Sequence, residues 1–383
     1  MSQDSSVAII GIGLHPFGRH EASAAEQGAF AVRQALADAS LSWSDVQFAA
    51  GGSLDGGNAD ALVNHLGLSG IPFVNVRNGC ATGGSALAMA RSAIASGEAD
   101  IAVAVGFDKH PRGAFSLRPE EWGLPTWYGA TGLMLTTQFF ALRIQRYLHD
   151  HAMDPSVLGA VAARGYRNGA GNPSAWRRKA MTEQEIVQSP SLNPPLTQYM
   201  FCSPSEGAAA VVLASAKKVR ELGAKPVWIK AVSLATRRPG TFEVFTTRLP
   251  ASLSPSAVVM ASSAAYEKAG VGPQDIEVAQ VLDTDAGSEL IQLAENGFCK
   301  HGEQEAFIRS GATEISGRLP INTDGGCMAN GEPIGASGLR QVHEVCLQLR
   351  GEAGQRQISG KHRLGYTQVY GAPGVSAVTI LQV

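Results

Sequence analysis

The chain has 383 residues, 31 basic and 33 acidic side chains, and a formal net charge of −2. That length holds two domains or one large double domain, and the near-neutral charge gives no reason to expect nucleic acid or an anionic membrane surface as a partner. No apolar run is long enough to span a bilayer, and the opening Met1-Ser2-Gln3-Asp4-Ser5-Ser6 lacks the basic and apolar segments of a secretory signal, so no membrane and a cytoplasmic setting are expected. The five cysteines are odd in number and include no CxxC pair, which argues against a disulfide framework and a zinc site. Cys202, Cys299, Cys327 and Cys346 read as reduced, buried residues, and no metal ligands are assigned.

Val7 to Ile12 reads as a buried strand, Ala24 to Ala39 as an amphipathic helix, and Val46 to Ala50 as a strand. Cys80 to Ser96 reads as a helix and Ile101 to Val105 as a strand. Lys109 to Leu196 is less regular, with Pro, Trp, Tyr and Arg. The second half repeats the grammar: Ser256 to Lys268 helical, Ile276 to Leu282 a strand, Ser288 to Asn296 a helix, Ala336 to Leu349 a helix, and Val375 to Leu381 a closing strand. Alternating strands and helices predict an α/β layered fold. There is also a local echo. In Ala37-Asp38-Ala39-Ser40-Leu41 and in Lys268-Ala269-Gly270-Val271 a helix ends, a short loop follows, and an Asp (Asp45, Asp275) precedes a strand.

The stretch Asn78-Gly79-Cys80-Ala81-Thr82-Gly83-Gly84 follows an apolar run, Ile71 to Val76, and opens an Ala-rich one. A Cys at a strand-to-helix junction has backbone N–H groups and the positive end of a helix dipole nearby, which favour thiolate over thiol. A buried, inert Cys in a Gly-rich turn fits the same residues.

These residues resemble the nucleophile segment of the thiolase superfamily, and more closely its sterol-carrier-protein or lipid-transfer branch. The same branch is resembled by Gly106-Phe107-Asp108-Lys109, by Cys202-Ser203-Pro204-Ser205-Glu206-Gly207-Ala208-Ala209-Ala210, by Asn322-Thr323-Asp324-Gly325-Gly326, and by Gly331-Glu332-Pro333-Ile334-Gly335-Ala336-Ser337-Gly338. The resemblance implies a thiolase fold, five-layered αβαβα, built from two similar halves. These are residues 1–250, with an inserted loop region at about 109–196, and residues 251–383. It places substrate binding in the inserted region, where Trp122, Trp127, Trp176, Arg177 and Arg178 suit the adenine and phosphates of a CoA thioester. It implies Asn322, Gly326 and Gly371 as CoA-binding positions. No cofactor is implied beyond the coenzyme A of the substrate.

The chain departs from the family where the chemistry lies. The family's Gly-His-Pro reads Gly331-Glu332-Pro333 here. A carboxylate accepts hydrogen bonds and donates none, and its charge raises the pKa of a nearby thiol. The segment like His-Asp-Cys-Phe-Thr reads Leu282-Asp283-Thr284-Asp285-Ala286-Gly287, and the C-terminal Cys-x-Gly-Gly-Gly reads Val369-Tyr370-Gly371-Ala372-Pro373-Gly374. Val369 thus takes the place of the acid/base Cys, beside Tyr370. The thiolase-like aldolases of bacterial steroid side-chain degradation resemble the chain in these loops. That likeness implies retro-aldol cleavage of a steroid-type β-hydroxyacyl-CoA to a ketone or aldehyde plus acetyl- or propionyl-CoA, with Tyr370 moving the proton and Asp285 or Glu332 helping. It also implies a homodimer joined to a small OB-fold and zinc-ribbon partner. Two other expectations stand beside it. One is an acetyl-CoA acyltransferase that uses Cys80 as nucleophile with Glu332 or His343. The other is a non-catalytic acyl-CoA-binding scaffold subunit.

Overall fold

Among the described residues, nine strands form one mixed sheet: β1 (Val7–Gly18), β2 (Phe48–Gly52), β3 (Phe73–Asn75), β4 (Ile101–Lys109), β5 (Glu206–Ser215), β6 (Val227–Thr236), β7 (Val278–Val281), β8 (Leu364–Gly371) and β9 (Val375–Gln382). The order across the sheet is β3-β2-β4-β5-β1-β6-β9-β8-β7. A computed structural model describes residues 6–122, 124–239, 254–372 and 374–383, with the Trp122 side chain left out. Met1 to Ser5, Pro373 of the C-terminal loop and the expected boundary at 250/251 therefore lie outside the described residues.

The order contains an internal repeat. In the first half β2 is parallel to β3 and to β4, and β5 is antiparallel to both β4 and β1. In the second half β7 is parallel to β8, and β9 is antiparallel to both β8 and β6. The counterpart of β3 shrinks to a single parallel bridge, Ala279 to Ile321. Within the sheet, among the described residues, the halves join where β1 pairs with β6 through Ala8–Trp228 and Ile9–Val227.

The connecting helices repeat as well. Ala24–Asp38 joins β1 to β2, and Ala257–Ala269 joins β6 to β7. Each begins at a serine cap: Ser23 Oγ accepts from Glu26 N, and Ser256 Oγ from Val259 N, both at 3.2 Å. The echo read in the sequence is a matched turn. Asp45 accepts the amide of Ser42 at 2.8 Å, and Asp275 that of Gly272 at 2.7 Å, each just before a strand. Two further helices, Thr82–Ala95 before β4 and Ser337–Arg350 before β8, form the central layer. Outer helices, sheet, central helices, sheet and outer helices give the five layers.

Most of the differences from the sequence reading are extensions. β1 runs to Gly18 and β4 to Lys109. The helix expected from Cys80 starts at Thr82, so Cys80 sits in the turn before it. The stretch Lys109 to Leu196 is more regular than expected: it contains helices Thr136–Asp150 and Val157–Ala170, both with well-buried faces. β5, β6 and β8 were not anticipated. β5 is Ala-rich and wholly buried, and its small side chains let helices on both faces come close to the sheet.

Candidate active site

The two central helices meet at their N-termini, where glycines remove the side chains that would hold them apart. A Cβ on Gly338 would lie 2.7 Å from the Gly84 amide nitrogen, and one on Gly83 would lie 2.9 Å from that of Leu339. Cys80 lies just before the first helix, and Glu332 lies in the loop before the second. The close crossing therefore brings these two residues of opposite halves together.

The Glu332 carboxyl is fully buried among hydroxyls and thiols. Its Oε2 accepts from Thr284 Oγ1 at 3.0 Å and from Cys202 Sγ at 3.2 Å, and Ser337 Oγ stands 3.5 Å from Oε1. Its backbone is pinned too: Glu332 N donates to Ser203 O at 2.9 Å. Cys80 is only partly exposed. Burial first, then the charge of Glu332 and a hydrogen bond to it, hold the Cys80 thiol well above its ordinary pKa. Cys202 and Cys327 are pushed up by the same two causes, burial and Glu332. The helix terminus that would favour a thiolate is opposed here by burial and by Glu332.

Asp285 and Tyr370 are linked through Arg143. Asp285 caps helix Ala286–Glu295, accepting from Ser288 N and Ser288 Oγ, each at 2.6 Å. Burial pushes its carboxyl up to about 6, against the pull of those bonds and of Arg143. On β8, Val369 faces the central helices, where a Cβ on Gly84 or Gly338 would lie 3.1 Å from its Cγ1. Strand alternation turns Tyr370 to the other face. There the Arg143 guanidinium sits 5.6 Å from its ring centroid and pairs with Glu295 at 3.1 Å. Arg143, on helix Thr136–Asp150, thus joins Asp285 and Tyr370. The sequence reading missed it, because its helix lies in the stretch taken as irregular. Thr284, which touches Glu332 and adjoins Asp285, links the two groups.

The positions expected to bind CoA are tightly packed. Asn322 is buried; its Oδ1 accepts from Val281 N and its Nδ2 donates to Glu289 Oε2, both at 2.9 Å. Gly326 has φ +59°, and a side chain there would run into the Asp283 carboxyl, which accepts the amides of Cys327 (2.7 Å) and Met328 (3.2 Å). Gly371 lies against the Asn78–Ala81 turn, with Ala81 N 3.0 Å from where its Cβ would be. His343 lines a cavity of about 430 Å³ with Arg340, Glu344 and Arg356, away from Cys80, and burial and Arg356 lower its pKa to about 4. Trp176 lies between two guanidinium groups, Arg177 at 4.4 Å and Arg19 at 5.6 Å, while Trp127 and Arg178 are exposed.

Two further residues escaped the sequence reading. His110 and Asp55 form a pair, Nδ1 to Oδ2 at 2.7 Å, beside the Glu332 loop. The available signal was position: His110 immediately follows Gly106-Phe107-Asp108-Lys109. Among the described residues no group of three or more His, Cys, Asp or Glu could hold a metal ion, and no helix is long and apolar enough to cross a membrane.

A two-half αβαβα fold with a cysteine ahead of one central helix defines the thiolase class. Residues 7–187 match the family model "Thiolase, N-terminal domain" and residues 243–382 match "Thiolase C-terminal domain-like". Sterol carrier protein 2 of Gallus gallus is 32% identical over 93% of this chain and 68% of its own length. An acetyl-CoA acetyltransferase of Methanothermobacter thermautotrophicus is 31% identical over 97% of both. A solved structure titled "Ltp2-ChsH2(DUF35) aldolase" superimposes with a TM-score of 0.89 at 25% identity, covering 100% of this chain and 99% of that one. The chain belongs to the thiolase family.

Proposed function

We propose that this protein is a thiolase-like aldolase that cleaves a steroid-type β-hydroxyacyl-CoA by retro-aldol reaction, releasing a ketone or aldehyde and acetyl- or propionyl-CoA. The observation that carries this reading is the Glu332 carboxylate beside Cys80. Claisen chemistry by an acyl-enzyme needs a nucleophilic thiolate, and burial first, then Glu332, raise the pKa of the Cys80 thiol and so disfavour that form. Retro-aldol cleavage needs none. A base takes the proton of the β-hydroxyl, the Cα–Cβ bond breaks as the carbonyl forms, and the electron pair passes into the CoA enolate, which is then protonated at Cα. Tyr370 is assigned the proton transfer, with Asp285 as helper. A carboxyl held near pH 6 both gives and takes protons close to neutrality. Arg143, beside both, is suited to stabilise negative charge that develops there. Glu332 is assigned to silence the thiol and to accept hydrogen bonds, and Cys80 to contribute its backbone. Gly371, which adjoins the Cys80 turn, is retained as a CoA-facing position, with Trp176 and Arg177 as candidates for the nucleotide.

The structural neighbour's title, an aldolase with two named components, supports the same reading and a heteromeric assembly. We propose a homodimer carrying a small OB-fold and zinc-ribbon partner. A second reading, acyl transfer through Cys80, is favoured by the retained cysteine and by the acetyltransferase relative. Incubation of the protein and its partner with a β-hydroxyacyl-CoA, with and without free CoA, separates the two. Aldol cleavage proceeds without added CoA; thiolysis of a β-ketoacyl-CoA requires it.

A further inference from the structure

We propose that His110 is the positioning residue that holds Glu332 against Cys80, with Asp55 fixing its tautomer. The His110 side chain is enclosed, its ring edge-on to Phe115 at 5.0 Å between centroids. Its Nε2 lies 3.1 Å from the backbone nitrogen of Ile334. An amide N–H only donates, so Nε2 presents its lone pair and the ring proton is on Nδ1. Nδ1 faces Asp55 Oδ2 at 2.7 Å, and a carboxylate there fixes that tautomer. The next amide, Gly335 N, donates to Asp108 Oδ2 at 2.6 Å, and Asp108 also takes the amides of Leu54, Asp55 and Gly56. Two side chains at the end of β4 thus hold consecutive amides of the loop that carries Glu332.

The connection from Ile334 to Glu332 is short and stiff. Only Pro333 lies between them, and its ring fixes φ and removes a donor. On the other side Glu332 N is held by Ser203 O, and His110 N reaches Ser205 O at 3.3 Å. His110 therefore grips the loop on both sides of the carboxyl, through Ile334 and through the Ser203–Ser205 segment. The half-exposed Asp55 opens onto a hollow of about 960 Å³ rimmed by Arg19, Lys109 and Arg112, so the pair reaches from the surface to the buried carboxyl.

This inference rests on the reading of Glu332 as a group that disfavours the Cys80 thiolate, and not on the identity of the substrate. Its test is the rate of iodoacetamide labelling of Cys80, read by peptide mass spectrometry on the full chain, with buried Cys346 as an internal control. His110→Ala is expected to raise Cys80 labelling at least about tenfold, one pH unit of thiol acidity, toward the rate of Glu332→Gln. The double variant is expected to label no faster than Glu332→Gln alone. His110→Gln, whose amide oxygen can accept from Ile334 N, is expected to stay near the wild-type rate. Asp55→Ala gives a smaller rise and serves if His110→Ala does not fold. A wild-type rate in Glu332→Gln removes the premise. A raised rate in Glu332→Gln with unchanged rates in His110→Ala and Asp55→Ala overturns the assignment of His110, as does acceleration of Cys80 and Cys346 together.

Discussion

Glu332 and Cys80 come from opposite halves of the fold, and the carboxylate of one lies against the thiol of the other. The contact sits at the segment that resembles a thiolase nucleophile, and there it disfavours the thiolate. Burial alone would raise the pKa of Cys80; the adjacent charge raises it further, and both act against an acyl-enzyme.

Proton transfer by Tyr370 is the most exposed part of the proposed mechanism. Tyr370→Phe removes one hydroxyl and keeps the ring over which Arg143 sits. Cleavage of the β-hydroxyacyl-CoA is expected to fall roughly 10²–10⁴-fold in kcat, the usual worth of a positioned acid or base. CoA binding, followed by calorimetry, is expected to be unchanged. Full turnover by Tyr370→Phe would remove Tyr370 from the mechanism.

Asp285 sets a pH dependence of stability. Its carboxyl is raised in the folded chain from 3.8 to about 6. Between those values the folded chain holds a proton that the unfolded chain releases. The stabilisation from this group is therefore complete below about pH 4 and is lost as pH rises through 6. Asp285→Asn keeps an oxygen for the Ser288 amide and never ionises. Relative to this variant, the wild type is expected to lose roughly 2 kcal/mol of unfolding free energy between pH 4 and pH 7. Urea unfolding of both proteins across that range measures it. A constant difference, or one of opposite slope, contradicts the burial of the charge.

Gly338 sets the distance between the central helices. Gly338→Ala places a methyl 2.7 Å from the Gly84 amide nitrogen, and backbone cannot yield as a side-chain tip can. A loss of about 1–3 kcal/mol is expected, the usual penalty for overpacking, seen as a lower urea midpoint. An unchanged midpoint would mean that the helices have room to part.

Much of the fold was legible in the sequence, for particular reasons. The two matched Asp turns were readable because a turn before a strand depends on a few local residues, and they suit the two similar halves that the thiolase resemblance implies. β5 escaped because alanine carries little strand preference, and its burial on both faces erases alternation. Helices Thr136–Asp150 and Val157–Ala170 were hidden by the Pro, Trp and Gly around them. In the site, Glu332 stood out because it interrupts an otherwise intact frame. The link of Tyr370 and Asp285 through Arg143 did not. It depends on which face of β8 each residue takes and on Arg143, some 140 residues before Asp285 in the chain. His110 and Asp55, 55 residues apart in sequence, meet only through the fold.

The central claim is that Glu332 denies Cys80 its role as an acyl acceptor. Intact-mass spectrometry of wild-type protein and of Glu332→His, each incubated with acetyl-CoA or a β-ketoacyl-CoA and quenched in acid, tests it most directly. The wild-type chain is expected to stay unmodified, and an acyl adduct that maps to Cys80 is expected only when the imidazole replaces the carboxyl group. A stoichiometric acyl group on Cys80 of the wild-type chain would contradict it.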